Sequence, residues 1–257
     1  MRLAVAGFLL AVTAAVPARA ASIALVMAID VSGSVSQGRY MLQHEGIARA
    51  FETPRLIDAM SAMPGGIEAL VLEWSDPDKI AVTVGWTHIA NRSTALAFAA
   101  ALRATHRTSN GLTAIGAALR AAAAAFDHMP EPAARRVIDV SGDGMANFGE
   151  PPAAVRDELV KRGITINGLA ILAEEPWLDE YYRHNVIGGP SSFCLVAQNF
   201  NSFADAMLSK LVQEVASLPP ARAAGARAAG AFHPHTRRHD AIRPVHDALA
   251  SAGAPAL

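Results

Sequence analysis

The sequence predicts an α/β fold in which a doubly wound, mainly parallel sheet carries helices on both faces. Apolar runs alternate with helical segments throughout residues 22–218, which is typical of βαβ units. Several runs, such as Ser22–Ile29 and Ile164–Leu172, are almost continuously apolar, as expected of parallel strands that are buried on both faces. The chain has 257 residues, of which 52% are hydrophobic, so it is long enough to bury one full-sized core.

The predicted strands are short apolar runs bounded by residues that favour turns. The second and third flank the turn-rich segment Ser75-Asp76-Pro77-Asp78, which indicates a hairpin. If the strand order is the doubly wound 3-2-1-4-5-6, the first and fourth strands are neighbours. The predicted strands are Ser22–Ile29, Ile67–Trp74, Ile80–Trp86, Arg136–Ser141, Ile164–Leu172 and Ser192–Ala197.

The predicted helices rest on apolar periodicity, alanine content and residues that start or stop helices. Pro151 and Pro152 suit a first helical turn, and Gly163 suits a position just after a helix. The predicted helices are Ser36–Met60, Ser93–Ala104, Thr113–His128, Pro151–Arg162, Trp177–His184 and Phe203–Leu218.

Residues 1–20 are predicted to be a secretory signal peptide. Arg2 precedes an apolar stretch, and a helix-breaking Pro17 precedes a small-x-small triplet that ends at Ala20, after which cleavage is expected. An uncleaved anchor is the alternative, because signal peptides and short anchors overlap in length. No other run is apolar enough to cross a bilayer, so we expect an exported protein, periplasmic or secreted, with no membrane span after cleavage.

Residues 219–257 are predicted to be a disordered tail, because they contain Pro, Ala, Gly, Arg and His with almost no large apolar residue. The tail holds four of the nine histidines, yet nothing in such a segment fixes ligand geometry. The domain is therefore 21–218.

Charge and cysteine content exclude several function classes. Residues 21–218 contain 15 basic and 21 acidic residues, which argues against a nucleic-acid partner. The single cysteine, Cys194, excludes an intramolecular disulfide and a cluster of thiolate ligands. It lies in an apolar run and is predicted to be a buried small hydrophobe.

Oxygen-bearing side chains follow two predicted strands that should be neighbours. Asp30, Ser32 and Ser34 come at alternate positions after the first strand, and Asp143 follows the fourth. Open α/β sheets bind ligands at the carboxyl ends of their strands, so these groups should face one crevice. Thr113 adds a hydroxyl at a loop-to-helix junction. Helix capping is the alternative for the first three residues alone, but it does not require three segments to converge.

The predicted site contains carboxylates and hydroxyls but no histidine or thiol. Such hard oxygen ligands suit Mg²⁺ or Mn²⁺ better than zinc or copper. Without a cation, two close carboxylates would repel each other and one would tend to keep a proton. An octahedral ion held by so few protein groups retains room for water or for a carboxylate from a partner.

The segments Asp30-Val31-Ser32-Gly33-Ser34, the loop with Thr113 and the Ser141–Gly144 sequence together resemble the metal-ion-dependent adhesion site of the von Willebrand factor type A (vWA) superfamily. The resemblance covers about 22–218. The phrases RRVIDVSGDG, GITINGLAI and VIGGPSSF are more narrowly similar to a bacterial group of exported vWA proteins. One departure is Gly142, which stands where many members of the superfamily have threonine.

The resemblance implies a Rossmann-like domain that binds other proteins through a metal ion and is not an enzyme. It implies that Ser32 and Ser34 are direct ligands, and that Asp30 and Asp143 are direct or water-bridged ligands. Thr113 would engage or release with conformational state. The partner would supply a Glu or Asp carboxylate, and binding can be coupled in the family to shifts of the metal loops and the last helix.

Two rival functions remain open on the sequence. A metal-dependent phosphoryl-transfer enzyme also places an acidic residue after its first strand, but it usually needs a second carboxylate two residues further on and a positioned lysine. Here that position is Ser32, and Lys79 and Lys161 stand in unsuitable places. The other rival is a structural protein of envelope assembly with a degenerate site.

Overall fold

A computed structural model of the chain describes residues 20–216. The predicted signal peptide, apart from Ala20, and the predicted tail lie outside the described residues. Within 20–216 the structure has the six strands that the sequence predicts and seven α-helices, one more than the sequence predicts. The strands are β1 (Ala21–Asp30), β2 (Ile67–Trp74), β3 (Ile80–Ile89), β4 (Ala133–Gly142), β5 (Ile164–Ile171) and β6 (Cys194–Ala197). The helices are α1 (Gln37–Glu52), α2 (Pro54–Ser61), α3 (Arg92–Arg103), α4 (Ile115–Ala125), α5 (Pro152–Lys161), α6 (Leu178–Asn185) and α7 (Phe203–Ala216).

All six described strands belong to one sheet in the order β3-β2-β1-β4-β5-β6. β1 pairs in parallel with both β2 and β4, and the parallel pairing continues through β5 to β6. β3 alone runs antiparallel, as the partner of β2 in a hairpin. The predicted fold class, the hairpin and the adjacency of the first and fourth strands are therefore confirmed.

The core consists of two apolar layers, one on each face of the sheet. Along β1, alternate residues face opposite layers, because successive side chains of a strand point to opposite faces. Leu25 and Met27 join the layer under α1, α2, α3 and α7. Val26 and Ala28 join the layer under α4, α5 and α6. Burial on both faces explains why this strand is continuously apolar.

The predicted single helix Ser36–Met60 is wrong, because the chain forms two helices there. α1 ends at Glu52 and α2 begins at Pro54, with Thr53 extended between them. Proline lacks the backbone N–H that continues a helix, and its ring clashes with the preceding turn, but it suits a first helical position. The single proline in the segment therefore ends one helix and starts the next.

Smaller differences lie at element ends. The predicted helix Thr113–His128 begins only at Ile115, so Thr113 lies in the loop before α4, and its last residues form a 3₁₀ turn. β3 extends to Ile89 because its pairing with β2 continues that far. Cys194 is only partly buried on β6, which corrects the expectation of full burial. No helix within 20–216 is long and apolar enough to span a bilayer.

Candidate metal site

Asp30 is the last residue of β1, and its carboxylate is completely buried at the carboxyl edge of the sheet. The backbone N–H of Ser32 donates to Asp30 Oδ1 at 2.7 Å. Asp30 Oδ2 has no hydrogen-bond partner among the described residues. A buried carboxylate oxygen without a donor is costly, so this oxygen suits a cation or a hydrogen-bond donor.

The two serine hydroxyls join Asp30 to Asp143, which directly follows β4. Ser34 Oγ donates to Asp143 Oδ1 at 2.6 Å, and the Oγ atoms of Ser32 and Ser34 are 3.3 Å apart. Because β1 and β4 are paired neighbours, their carboxyl ends deliver both acidic residues to one place. Four of the five residues predicted from the sequence therefore lie together.

Thr113 reaches the same edge through the loop before α4. The backbone N–H of Gly33 donates to the carbonyl oxygen of Gly111 at 2.8 Å, which joins this loop to the serine loop. Asn147 fixes Thr113 on the other side, since its Oδ1 accepts from the Thr113 N–H at 2.8 Å. Thr113 Oγ1 lies 3.9 Å from the position that a Cβ on Gly144 would take. The threonine hydroxyl therefore faces the backbone beside Asp143.

The electrostatics of this edge favour a positive charge. Burial raises the pKa of Asp30 from 3.8 to about 7; the Ser32 hydrogen bonds oppose this rise, and the charge of Asp143 adds to it. Burial also raises the pKa of Asp143, against the Ser34 hydrogen bond and the charge of Arg39. Both shifts mean that ionised carboxylates here are under-compensated by the protein.

The residues present fit a hard divalent cation. Within 20–216, no group of three or more His, Cys, Asp or Glu side chains is arranged to hold a metal. A metal at this edge therefore depends on the hydroxyls as well as on the two carboxylates. Asp30 Oδ2, buried and without a donor, gives the set a free anionic ligand. Oxygen-only ligands of this kind suit Mg²⁺ or Mn²⁺.

Arg107 is a charged residue beside the serine motif that sequence reasoning missed. Its guanidinium donates to the carbonyl oxygens of Val31 and Ser32 at 2.8 and 2.9 Å.

Sequence reasoning also missed three charged residues around the two carboxylates. Arg39, in the first turns of α1, donates to the Ser34 carbonyl oxygen at 2.9 Å and lies 3.5 Å from Asp143 Oδ2. Its other nitrogen pairs with Glu174 at 2.6 Å. The pKa of Glu175 is raised by burial and by the charge of Asp143. Only the position of Arg39 directly after the serine motif could have indicated its role, because the two glutamates arrive from the distant β5–α6 loop.

An α/β sheet of this order has the fold of vWA domains, and here the serine motif, Thr113 and Asp143 lie at its carboxyl edge. The chain belongs to the DUF1194 family, whose model, described as "Protein of unknown function (DUF1194)", matches residues 20–219. No curated protein matches the sequence.

Solved structures of vWA domains share the fold. Proximal thread matrix protein 1 from the mussel byssus, with a zinc-occupied MIDAS motif, is 16% identical with a TM-score of 0.55, over 76% of this chain and 46% of that one. A von Willebrand factor type A protein from Catenulispora acidiphila is 19% identical with a TM-score of 0.53, over 76% and 43%. The vWF domain of the type V pili tip protein Mfa5 from Porphyromonas gingivalis is 10% identical with a TM-score of 0.53, over 77% and 96%. The chain thus spans less than half of the first two proteins, and these likenesses concern the fold alone.

Proposed function

We propose that the protein is an exported binding module that holds a Mg²⁺ or Mn²⁺ ion at Asp30, Ser32, Ser34, Thr113 and Asp143. Through that ion it binds a Glu or Asp carboxylate of a partner protein. The observation that carries the proposal is the completely buried Asp30 carboxylate, which has a partnerless oxygen and lies beside a second acidic residue. Such an arrangement is unfavourable unless a cation compensates it.

The geometry suggests a role for each residue. Ser32 and Ser34 present hydroxyls to the same space and would be direct ligands, while Asp30 and Asp143 would bind directly or through water. Thr113 lies on a separate loop and would engage or release the ion with the conformational state of the site. When bound, the ion supplies a positive charge with open coordination positions for a carboxylate oxygen.

Binding without turnover is the favoured activity. A phosphoryl-transfer site of the aspartate type needs a positioned lysine, and the lysines of the described chain are engaged or distant. Lys79 pairs with Asp76 at 2.9 Å, Lys210 is buried against Asp139, and Lys161 ends α5 on the surface. The residue two positions after Asp30 is a serine, which suits a metal ligand and not a general acid.

Relatives by fold support a role in protein interaction and in export. They include a pilus adhesin, SpaC from Lactobacillus rhamnosus GG, and the pilus tip and thread matrix proteins described above. The signal-peptide pattern of residues 1–20 supports the same compartment.

Titration calorimetry of the whole chain with Mg²⁺ and Mn²⁺ tests the proposal. We expect saturable binding that Asp30→Ala and the double variant Ser32→Ala/Ser34→Ala abolish. Ser22→Ala is the matched control. This serine lies at the amino end of β1, away from the metal site, and its hydroxyl donates to the Pro64 carbonyl oxygen. A phosphatase assay on the same samples should show no turnover. Phosphatase turnover by the wild type that is lost in Asp30→Ala would favour the phosphoryl-transfer function. Absence of metal binding by the wild type would favour the structural function in envelope assembly.

A further inference from the structure

Tyr182 approaches the candidate metal site from α6, although the sequence gives no sign of it. Leu178 and Tyr182 are the two buried residues of this eight-residue helix, and their i, i+4 spacing places both on one face. The Tyr182 side chain is completely buried. Its hydroxyl has no hydrogen-bond partner among residues 20–216, which is unusual for a buried tyrosine.

Two strand glycines make room for the Tyr182 side chain. A Cβ on Gly142 of β4 would lie 2.7 Å from the Tyr182 hydroxyl oxygen, and a Cβ on Gly168 of β5 would lie 2.9 Å from Tyr182 Cδ1. Both distances are too short for a real side-chain contact. The tyrosine therefore occupies a slot that only glycine leaves open at these two positions.

The slot directs the hydroxyl toward Asp30. The same Cβ position on Gly142 is 2.7 Å from Asp30 Oδ2, so this oxygen and the Tyr182 hydroxyl flank one point in space. Both atoms are buried and neither has a partner among the described residues. A tyrosine hydroxyl carries its proton at neutral pH, so it can act as a donor to a carboxylate oxygen.

We propose that Tyr182 is a positioning residue of the metal site, whose hydroxyl donates to one lone pair of Asp30 Oδ2 once an ion is bound and so orients the carboxylate toward that ion. The inference rests on the proposed function. It also explains the departure at Gly142, because a threonine there would need the space of the Tyr182 hydroxyl.

Mn²⁺ calorimetry of whole-chain variants tests the role of the hydroxyl. We expect Tyr182→Phe to weaken Mn²⁺ binding about 10-fold, the usual effect of removing a group that orients a metal ligand. Its melting temperature in EDTA should equal or exceed that of the wild type, because the change removes a buried unpaired hydroxyl. Tyr40→Phe is the control, since it removes a hydroxyl that donates to buried Glu73 at 3.0 Å and should lower stability without changing Mn²⁺ affinity.

A rescue variant separates positioning from packing. Gly142→Ser alone should weaken Mn²⁺ binding, because its Cβ would crowd both the Tyr182 hydroxyl and Asp30 Oδ2. Gly142→Ser/Tyr182→Phe removes the first of these clashes and should bind Mn²⁺ more tightly than Gly142→Ser. Unchanged Mn²⁺ affinity in Tyr182→Phe would overturn the inference while leaving the proposed function intact. A wild type that binds no Mn²⁺ would overturn the proposed function itself.

Discussion

Two groups of buried acidic residues lie near the carboxyl end of β4, one around Asp139 on the strand and one around Asp143 just after it, and they are compensated in opposite ways. The first is the candidate metal site, where Asp30 and Asp143 meet hydroxyls and one half-exposed arginine. The second, here called the internal ion cluster, lies under α7 and comprises Asp139, Lys210, Glu214, Asn167 and Arg135. Lys210 pairs with Asp139, and both side chains are completely or almost completely buried. Glu214 accepts from Asn167 and, at 3.3 Å, from Arg135.

The difference teaches how to separate a structural carboxylate from a functional one in this fold. In the internal ion cluster the chain provides its own cations: Lys210 pairs with Asp139, and the charges of Lys210 and Arg135 oppose the rise that burial causes in the pKa of Glu214. At the sheet edge the chain provides donors but little positive charge, and the pKa of Asp30 rises accordingly. Burial alone does not distinguish the two groups, but the source of the compensating charge does.

Removing the cation of the internal ion cluster should have the largest effect on stability. We expect Lys210→Met to lower the free energy of unfolding by about 3–5 kcal/mol, because it leaves Asp139 buried and unpaired. Lys161→Met, at an exposed position on α5, is the matched control and should change stability by less than about 0.5 kcal/mol. Urea unfolding measures both. If Lys210→Met unfolds like the control, the cluster is not a compensated ion pair.

Removing a charge at the metal site should change the free energy of unfolding in the opposite direction. In EDTA we expect Asp30→Asn to stabilise the protein, with a difference from the wild type that grows as pH rises from about 4 to about 7 and then stays constant. Below the ordinary pKa of 3.8 the carboxyl carries its proton in both folded and unfolded chains, whereas above about 7 the folded wild type must bury the ionised form.

Since one pKa unit corresponds to about 1.4 kcal/mol, the difference at pH 8 should be on the order of 2–4 kcal/mol. Thermal unfolding of both proteins from pH 4 to 8 measures it. Mg²⁺ should stabilise the wild type at pH 8 and leave Asp30→Asn unchanged. A variant that is destabilised in EDTA at pH 8 would show that the Asp30 charge is already compensated within the chain.

The smallest expected effect concerns Arg39, the cation that lies beside the Asp143 carboxylate at the metal site. Its guanidinium lies 3.5 Å from Asp143 Oδ2 and would oppose a second positive charge there. We expect Arg39→Gln to tighten Mg²⁺ binding by no more than about fivefold, the equivalent of ~1 kcal/mol for a part-exposed pair. Arg49→Gln, on the last turn of the same helix, controls for net charge. Weaker binding in Arg39→Gln would mean that the arginine organises the site.

Much of the fold and most of the site could be predicted from the sequence because both depend on local patterns. Continuously apolar runs identify the parallel strands. Oxygen-bearing residues directly after these strands must lie at the carboxyl edge of the sheet, wherever the helices pack. The strand order then brings Asp30 and Asp143 together. The helix break at Pro54 could also have been predicted, since a proline inside a helical pattern ends the helix.

The remaining features depend on packing between distant segments, which leaves no local signal. Lys210 and Glu214 look like surface charges on an amphipathic helix, and only their partners on β4 and β5 show that they face the sheet. The Tyr182 hydroxyl lies near the metal site because two glycines on different strands leave space for the side chain. No periodicity in α6 encodes that position.

Anomalous diffraction from crystals of the whole chain soaked in Mn²⁺ would test the central claim most directly, because it locates the ion among the two acidic groups. We expect one strong peak in contact with the hydroxyls of Ser32 and Ser34 and beside Asp30 and Asp143, and no peak at the internal ion cluster. A peak at Asp139 and Glu214, or no peak at the sheet edge, would contradict the claim that uncompensated buried carboxylates define the functional site of this protein.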